Sequence, residues 1–229
     1  MIQFVNVTKA YNGPKALDNV SFHISFGELV FVVGPSGAGK STLMRLLYRE
    51  ELPTSGQVFI SNIDISKLPH HQIPLLRRKM GIVFQDYKLL SNKTCYENIA
   101  YPLFAIGMDG FEIKKRVHGA LKVVGLAHKL NEFPPNLSGG EQQRIGIARA
   151  IVQGPTLLIA DEPTGNLDQV TSMEIFMLLE KINQRGTTVL VATHNQYVVN
   201  QMRKRVLSID SGRIISDTPA GNLSTKIQL

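Results

Sequence analysis

The sequence lacks tryptophan altogether and contains a single cysteine, Cys95, among its 229 residues. One cysteine cannot form an internal disulfide, which excludes a disulfide-stapled scaffold and favours a reducing compartment. We expect Cys95 to be a small buried hydrophobic residue, because a lone cysteine has that role far more often than a nucleophile's. Internal repeats and low-complexity segments are lacking as well, so the sequence indicates neither a repeat array nor a disordered chain.

Long hydrophobic runs are also missing. The strongest apolar stretch, Leu29 to Val33, is far shorter than the roughly 20 residues that a membrane helix needs. The first residues alternate like a strand and show no basic region leading into an apolar segment, so we expect no signal peptide. The sequence predicts a chain that does not span a membrane and that acts on one only through a partner.

Acidic residues are fewer than basic ones: 18 Asp and Glu stand against 25 Lys and Arg, which gives a net charge of +7. Such a balance suits nucleic acid, an anionic membrane surface or a nucleotide, and it equally suits a merely solvated basic surface. With 43% hydrophobic and 19% charged residues, the composition is that of an ordinary globular protein. The length allows one sizeable domain that carries a subdomain.

Three continuous apolar runs end at residues suited to a ligand site: Leu29–Val33 before Gly34, Leu157–Ala160 before Asp161, and Thr188–Thr193 before His194. Continuous apolar strands belong to parallel α/β sheets, in which ligands lie at the carboxyl ends of the strands. The alternating segments near the N-terminus instead predict antiparallel strands at Ile2–Val7, Leu17–Ile24 and Val58–Ile60.

Residues from about 86 to 152 differ in character and predict a helical insertion in the α/β core. From Phe111 to Val124, helical spacing predicts one apolar face with Phe111, Ile113, Val117, Leu121 and Val124. The other face is basic, with Lys114, Lys115, Arg116, His118 and Lys122. That basic face could contact lipid headgroups, or it could simply be solvated.

The clearest motif is a phosphate loop of the form G-x-x-x-x-G-K-[ST]. It lies between a strand and a predicted helix over 42–48, and it comprises Gly34, Pro35, Ser36, Gly37, Ala38, Gly39, Lys40, Ser41 and Thr42. Glycines let successive backbone N–H groups turn inward towards phosphate oxygens, and the helix dipole adds positive potential. Lys40 supplies charge for the β- and γ-phosphates, and the Ser41 hydroxyl can ligate Mg²⁺. The sequence therefore predicts a nucleotide site.

Further candidates are weaker when each is taken alone. Asp161 and Glu162 suit a water-mediated Mg²⁺ ligand and a group that orients the attacking water, although an acidic pair can also cap a helix. His194 and Gln85 end apolar segments and could reach the same metal or water. Tyr11 lies in a loop, where its ring could stack on adenine.

A second glycine cluster, Ser138-Gly139-Gly140-Glu141, predicts another anion cradle. Ser138 can cap the helix that begins near Glu141, and the glycines expose N–H groups at its start. A helix cap alone does not require two glycines. The phosphate loop already provides one nucleotide site, so it leaves the purpose of a second anion cradle at 138–141 unexplained.

With these motifs in order, the sequence resembles an ABC ATPase (ATP-binding cassette) from end to end. Tyr11 matches the aromatic residue that stacks on adenine, and residues 34–42 match the Walker A motif. Gln85 matches the Q-loop glutamine, and Leu137 to Gln142 match the signature motif. Both order and spacing agree with the family.

The remaining matches surround the later strands. Leu157 to Asp161 match the Walker B motif, and Glu162 matches the catalytic glutamate. Asn166 to Asp168 match the D-loop, and His194 matches the switch histidine. The resemblance implies ATP and Mg²⁺ as ligands, with phosphate contacts from the loop and Lys40. It implies metal contacts from Ser41, Gln85 and Asp161. It implies catalytic roles for Glu162, His194, Gln85 and Asp168.

In this family two subunits pair head to tail, and each ATP lies between one Walker A motif and the other chain's signature. The resemblance thus implies a homodimer in which the second cradle, residues 138–141, serves the partner's ATP. It also implies a P-loop NTPase fold: a RecA-like α/β core, an N-terminal antiparallel β subdomain and an inserted α-helical subdomain. The expected boundaries are 1–85 and 153–229 for the core and 86–152 for the helical signature subdomain.

Residues 163–168 are similar to one branch of the family, which includes cell-division ATPases, the lipoprotein-release ATPase LolD and the macrolide exporter MacB. Residues 81–90 and 93–103 are most similar to the cell-division members. That resemblance implies an FtsX-like membrane permease subunit, nearby division proteins, control of peptidoglycan hydrolases and a place on the cytoplasmic face of the membrane at the division site.

Two alternatives remain open. One is the ATPase subunit of a LolD- or MacB-type lipoprotein-release or export transporter. The other is a soluble ABC protein that acts on nucleic acid or ribosomes, which the basic charge superficially favours. Such proteins usually have two fused cassettes or long coiled-coil insertions, and this chain has neither, so we expect no nucleic-acid partner.

Overall fold

The structure is a computed structural model that describes residues 1–221, so the last part of the expected core segment, 222–229, lies outside the described residues. The strands are β1 (Ile2–Ala10), β2 (Lys15–Ile24), β3 (Leu29–Val33), β4 (Ser55–Ile60), β5 (Ile63–Asp64), β6 (Met80–Val83), β7 (Leu157–Asp161), β8 (Thr188–Ala192), β9 (Arg205–Asp210) and β10 (Arg213–Thr218). The helices are α1 (Lys40–Leu47), α2 (Ile73–Arg78), α3 (Cys95–Phe104), α4 (Gly110–Val123), α5 (Gly139–Ile151), α6 (Gln169–Asn183) and α7 (Gln196–Met202).

The main sheet has the strand order β10-β9-β3-β8-β7-β6. The neighbours from β9 to β6 pair in parallel, and β10 adds an antiparallel edge. Every residue of β3 and β8 is buried, as expected for strands covered on both faces. The parallel sheet predicted from the three apolar runs is thus confirmed.

The N-terminal segments form a separate antiparallel sheet in the order β2-β1-β4-β5, which confirms the prediction from their alternating pattern. Its apolar side packs with α1 and with one face of β3, including Val30 and Val32. The opposite face of β3, including Phe31 and Val33, joins a second core with residues of α3 to α7. The phosphate-loop helix is therefore held between the two sheets.

Helix α4 confirms the predicted amphipathic segment but not all of its apolar face. Ile113, Val117 and Leu121 are buried, whereas Phe111 is 80% exposed, so its assignment to the buried face was wrong. Phe111 precedes Ile113 by two residues, which turns its side chain about 200° around the helix axis. When apolar residues are matched to helical spacing over a long segment, one residue that lies off the apolar face is easily missed.

Cys95 is fully buried, as predicted, and burial raises the pKa of its thiol to about 11. It lies at the start of α3, where Thr94 and Glu97 form a capping box. Within residues 1–221, no helix has the length and apolar character needed to cross a membrane.

Gly81 on β6 gives a test of the packing between the sheet and α5. A Cβ at this position would lie 2.5 Å from the carbonyl oxygen of Ala150 and 2.8 Å from Cδ1 of Leu158. We expect Gly81→Ala to lower the free energy of unfolding by about 1–3 kcal/mol in urea titrations, because backbone must move.

The control is Gly119→Ala in the exposed part of α4, where a Cβ would meet nothing within 4 Å. Alanine favours the helix, so this variant should be about 0.4–1 kcal/mol more stable than the wild type. Equal stability of the two variants would contradict the packing described here.

Candidate nucleotide-binding and hydrolysis site

The carboxyl ends of three neighbouring strands bring the predicted site residues to one edge of the main sheet. In that sheet β8 lies between β3 and β7, so the residues after these strands are spatial neighbours. Asp161 is in register with Ala192, and Val32 pairs with the same residue from the other side. Gly34 precedes Asp161 by 127 residues and Asp161 precedes His194 by 33, yet the three lie at the carboxyl ends of adjacent strands.

The phosphate loop connects β3 to α1, and its glycines are required by its shape. Gly37 and Gly39 have φ angles of 80° and 109°, which side-chain-bearing residues rarely adopt. A Cβ on Gly34 would collide with the carbonyl oxygen of Ile209. The helix begins at Lys40, two residues before the predicted start at Thr42, because the turn at Gly39 leads directly into it.

Lys40 holds its ammonium group over the loop. The side chain is largely buried, and Nζ donates to the carbonyl oxygens of Gly34 at 2.7 Å and Pro35 at 3.0 Å. Nζ also lies 3.6 Å from Oε1 of Glu162. A buried cation with one carboxylate nearby and a ring of backbone groups is suited to a polyanion such as a nucleotide phosphate.

Ser41 and Asp161 meet at the mouth of a cavity of about 320 Å³. Oγ of Ser41 donates to Oδ1 of Asp161 at 3.4 Å. Burial raises the pKa of the Asp161 carboxyl, against the lowering effect of that hydrogen bond. The cavity is lined by Ser41, Phe84, Gln85, Asp86, Asp161, Glu162 and Asn166.

This donor set fits a divalent cation. A hydroxyl, a carboxylate and a carboxamide are the oxygen ligands that Mg²⁺ prefers, and protein sites for Mg²⁺ use few of them together with water. A bound cation would offset the desolvation of the Asp161 carboxylate, which Lys40 and Arg45 offset only in part. Within the described residues, no cluster of three or more His, Cys, Asp or Glu offers an alternative metal site.

Glu162 is tied to His194 across the strand ends. Nδ1 of His194 lies 2.9 Å from Oε2 of Glu162, and the backbone N–H of His194 donates to the same oxygen at 3.3 Å. Glu162 has φ of 47°, and its N–H donates to the Ala192 carbonyl at 2.9 Å. A glutamate with positive φ is uncommon, so the turn after β7 constrains the backbone of Glu162.

Gln85 contacts the turn that follows Glu162. A Cβ on Gly165 would lie 2.7 Å from Nε2 of Gln85, and Nδ2 of Asn166 donates to the Gln85 carbonyl at 3.5 Å. Asp168 caps α6, accepting from the Thr171 N–H at 2.9 Å. Hydrogen bonding to Thr171 lowers the pKa of the Asp168 carboxyl.

Tyr11 lies in the loop between β1 and β2 with 38% of its surface exposed. Nζ of Lys9 lies 4.8 Å from the centre of its ring. The exposed ring is compatible with stacking on a base, which remains a prediction.

The signature residues form a second, separate cradle. Ser138 caps α5 and forms a capping box with Glu141, which confirms the predicted cap, and the helix begins at Gly139. Ser138 is exposed, whereas Gly140 is buried against Thr171. The hydrogen bonds of Ser138 run to Glu141, and those of Lys40 run to the phosphate loop. The two cradles are thus built independently.

Two residues of α5 attach the signature helix to the segment after β6, and neither was predicted from the sequence. Nη1 and Nη2 of Arg149 donate to the carbonyl oxygens of Lys88 at 2.6 Å and Tyr87 at 2.8 Å. Nε2 of Gln143, which is fully buried, donates to the Phe84 carbonyl at 3.3 Å. The available signal was that Gln143 and Arg149 are polar residues among apolar ones in α5, which indicates side chains with hydrogen-bond partners inside the fold. The segment around Gln85 is thereby attached to the signature helix.

Comparison with known proteins gives the class. The family model described as ABC transporter matches residues 17–165, which is more than half of the chain. The chain therefore belongs to the ABC transporter family, as one of its ATPase cassettes. This confirms the predicted P-loop ABC fold, with its parallel core, antiparallel β sheet and helices.

Among curated relatives, the chain is similar to the cell division ATP-binding protein FtsE of Bacillus subtilis, with 54% identity over 96% of this chain and 97% of that protein. FtsE of Escherichia coli is 47% identical over 93% of this chain and 97% of its own length. A solved structure of the ATP-binding cassette MJ0796, a dimer in a post-hydrolysis state bound to ADP and Pi, has a TM-score of 0.87. It is 37% identical and covers 97% of this chain and 100% of that one.

Asp161 gives a prediction for the ligand-free protein. Because its folded-state pKa is raised above the ordinary 3.8, the stability it contributes is present below that pH and is lost as pH rises through the folded pKa. We expect Asp161→Asn to unfold at a higher urea concentration than the wild type at pH 7, in buffer without metal or nucleotide. The difference should shrink towards pH 4. A wild-type midpoint at or above that of the variant at pH 7 would contradict the desolvated carboxylate.

Proposed function

We propose that this ATPase binds Mg-ATP over its own phosphate loop and hydrolyses it with Glu162 and His194. The observation that carries the proposal is the position of the Glu162 carboxylate, between the Lys40 ammonium and the His194 ring at the edge of the cavity. A carboxylate so placed can orient a water for attack on the phosphate that Lys40 neutralises.

Lys40, the loop N–H groups and the start of α1 bind the phosphates, and Tyr11 stacks on the base. Ser41, Asp161 and Gln85 would hold Mg²⁺. When bound, the ion neutralises charge on the phosphate oxygens. His194 holds Oε2 of Glu162 through Nδ1 at 2.9 Å, while Oε1 lies 3.6 Å from Nζ of Lys40.

We assign Asp168 a positioning role rather than a contact with ATP. Its cap on α6 fixes the turn at 163–168, and that turn contacts Gln85 through Gly165. Asp168 therefore positions the site from the far end of the turn and contributes to catalysis indirectly.

Glu162→Gln tests the catalytic role. The amide keeps the size of the side chain but cannot accept the proton of water, so we expect turnover to fall by about 10²–10⁴-fold. Binding of a fluorescent ATP analogue should stay within a few-fold of the wild type. The control is Glu174→Gln, a carboxylate that pairs with Arg144 outside the site. Unchanged steady-state turnover in Glu162→Gln would remove Glu162 from the mechanism.

We further propose that a second copy of the chain completes each site with residues 138–141. Ser138 is exposed at the start of a 13-residue helix. The capping box uses the N–H groups of Ser138 and Glu141, whereas those of Gly139 and Gly140 make no backbone hydrogen bond within the described residues and can bind an anion. The similar cassette MJ0796 is dimeric with ADP and Pi bound. A head-to-tail pair would supply each ATP with two cradles.

Two capping boxes in the chain separate the structural role of Ser138 from this one. Ser138→Ala and Thr94→Ala both remove a capping hydroxyl, and each should cost about 1 kcal/mol of stability. Only Ser138 is expected to touch the partner's ATP. Ser138→Ala should therefore lower turnover by about 10- to 100-fold, the loss of one hydrogen bond to a charged group. An equal effect of both variants on turnover would contradict the shared site.

We also propose that α3, α4 and α5, within 86–152, form the helical subdomain, and that its junction with the core docks a membrane partner. A groove of about 760 Å³ runs between α2, β6, α3 and α5, with apolar lining from Met80, Ile82, Phe84 and Pro102. Its volume suits a short helix of a partner. Arg149 lines the groove and also fixes the segment after Gln85, so an occupant would act on the ATP site directly.

The similarity to FtsE extends these proposals to a cellular role. We infer an FtsX-like permease as the partner in the groove and a place at the cytoplasmic face of the membrane at the division site. The complex would transmit ATP hydrolysis to the control of peptidoglycan hydrolases. The identities of 47% to 54% over nearly the whole chain support this role over the lipoprotein-release or export alternative.

Affinity capture from native membranes with the Glu162→Gln chain in ATP tests the role. Co-purification of a permease with a large extracytoplasmic region, together with division proteins, is expected. A lipoprotein-release or export permease would keep the ATPase and discard the division role. Recovery of ribosomes or nucleic-acid-binding proteins without a permease would discard the membrane machine.

A further inference from the structure

The corner between α3 and α4 exposes three large aromatic side chains. Tyr101 is 62%, Phe104 57% and Phe111 80% exposed. Tyr101 and Phe104 lie three residues apart and share a face of α3. Phe111 follows across the short connection 105–109, which is closed by the hydrogen bond from the Gly107 N–H to the Phe104 carbonyl. Exposed aromatic side chains of this size, close together in sequence, indicate a surface that contacts a partner or a membrane.

The exposed side of α4 continues this corner with positive charge. Lys114, Lys115 and Lys122 share the exposed side of α4 with Phe111, opposite the buried Ile113, Val117 and Leu121. We call the surface of Phe104, Phe111, Lys114, Lys115 and Lys122 the α3–α4 face. Tyr101, beside it, also lines the groove proposed for a membrane partner, so it is left out of this face. Within residues 1–221 no carboxylate lies within 4.0 Å of Lys114 or Lys122, so their charges are available to a ligand.

The acidic residues near the α3–α4 face are already engaged. Glu112 accepts from Nε of Arg116 at 2.8 Å, and Lys115 approaches it to 4.0 Å. Asp109 caps α4 by accepting from the Phe111 N–H at 2.8 Å. The ionised carboxylates on this helix are therefore balanced by Arg116 and by the helix N-terminus. Lys114 and Lys122 leave a net positive strip.

We propose that the α3–α4 face binds anionic phospholipid headgroups. Aromatic rings settle at the level of the headgroups, and lysines near an anionic leaflet are attracted to its surface potential. Phe111 and the lysines lie along one exposed side of α4, and a single straight row of this kind suits a flat surface better than a strand of nucleic acid. Neither the ATP site nor a permease is needed for this contact.

The test is co-sedimentation of the purified full chain, without nucleotide, with vesicles of phosphatidylcholine alone or mixed two to one with phosphatidylglycerol. We expect binding to the mixed vesicles that weakens as salt rises, and little binding to phosphatidylcholine. Lys114→Gln with Lys122→Gln should lower the partition coefficient by about 10- to 30-fold, from two lysine contacts. Phe111→Ser should lower it several-fold at all salt concentrations.

Lys79→Gln with Lys181→Gln is the matched control, because it removes two exposed lysines that, like Lys114 and Lys122, have no carboxylate within 4.0 Å in residues 1–221, and it should bind as the wild type does. Thermal unfolding of each variant shows whether the fold is intact. Absence of binding to the mixed vesicles, or equal loss in the control pair, would overturn the proposal. The proposal would also be overturned if the Lys114/Lys122 variant bound the mixed vesicles as the wild type does but no longer co-purified with a permease. The α3–α4 face would then contact a protein.

Discussion

The pairing of β8 between β3 and β7 is the constraint on which the rest of the structure depends. Backbone hydrogen bonds put Val32 and Asp161 on either side of Ala192, and each strand then ends at a different functional group. The phosphate loop, the acidic pair and the histidine therefore meet although no short segment contains all three. The strained φ of Glu162 and the buried ammonium of Lys40 are tolerated because this rigid sheet edge holds them.

The signature helix is joined to that edge by polar contacts rather than by a shared sheet. Arg149 and Gln143 reach the carbonyl groups of the segment between β6 and α3, which carries Gln85. That segment also lines the groove proposed for a membrane partner. One stretch of chain thus touches the metal-binding cavity, the signature helix and the docking groove, which gives a physical route from partner to ATP.

Much of this could be predicted from the sequence because its signals are local. The glycine pattern of 34–39 indicates a phosphate loop, and continuous apolar runs predict a parallel sheet covered on both faces. Ser138 followed by Glu141 three residues later is typical of a capping box. The outward side of Phe111 and the roles of Arg149 and Gln143 could not be predicted. The exposure of Phe111 and the contacts of Arg149 and Gln143 depend on how α4 and α5 pack against the rest of the fold. Helical spacing in the sequence does not show which turns of a helix are buried.

The central claim is that ATP completes its site only between two copies of this chain. Light scattering of the Glu162→Gln chain, with and without Mg-ATP, tests it most directly. We expect a two-chain mass with ATP, a one-chain mass without it, and a return to one chain when Ser138→Ala is added. A chain that binds ATP fully and keeps the mass of one copy at the highest soluble concentration would contradict it.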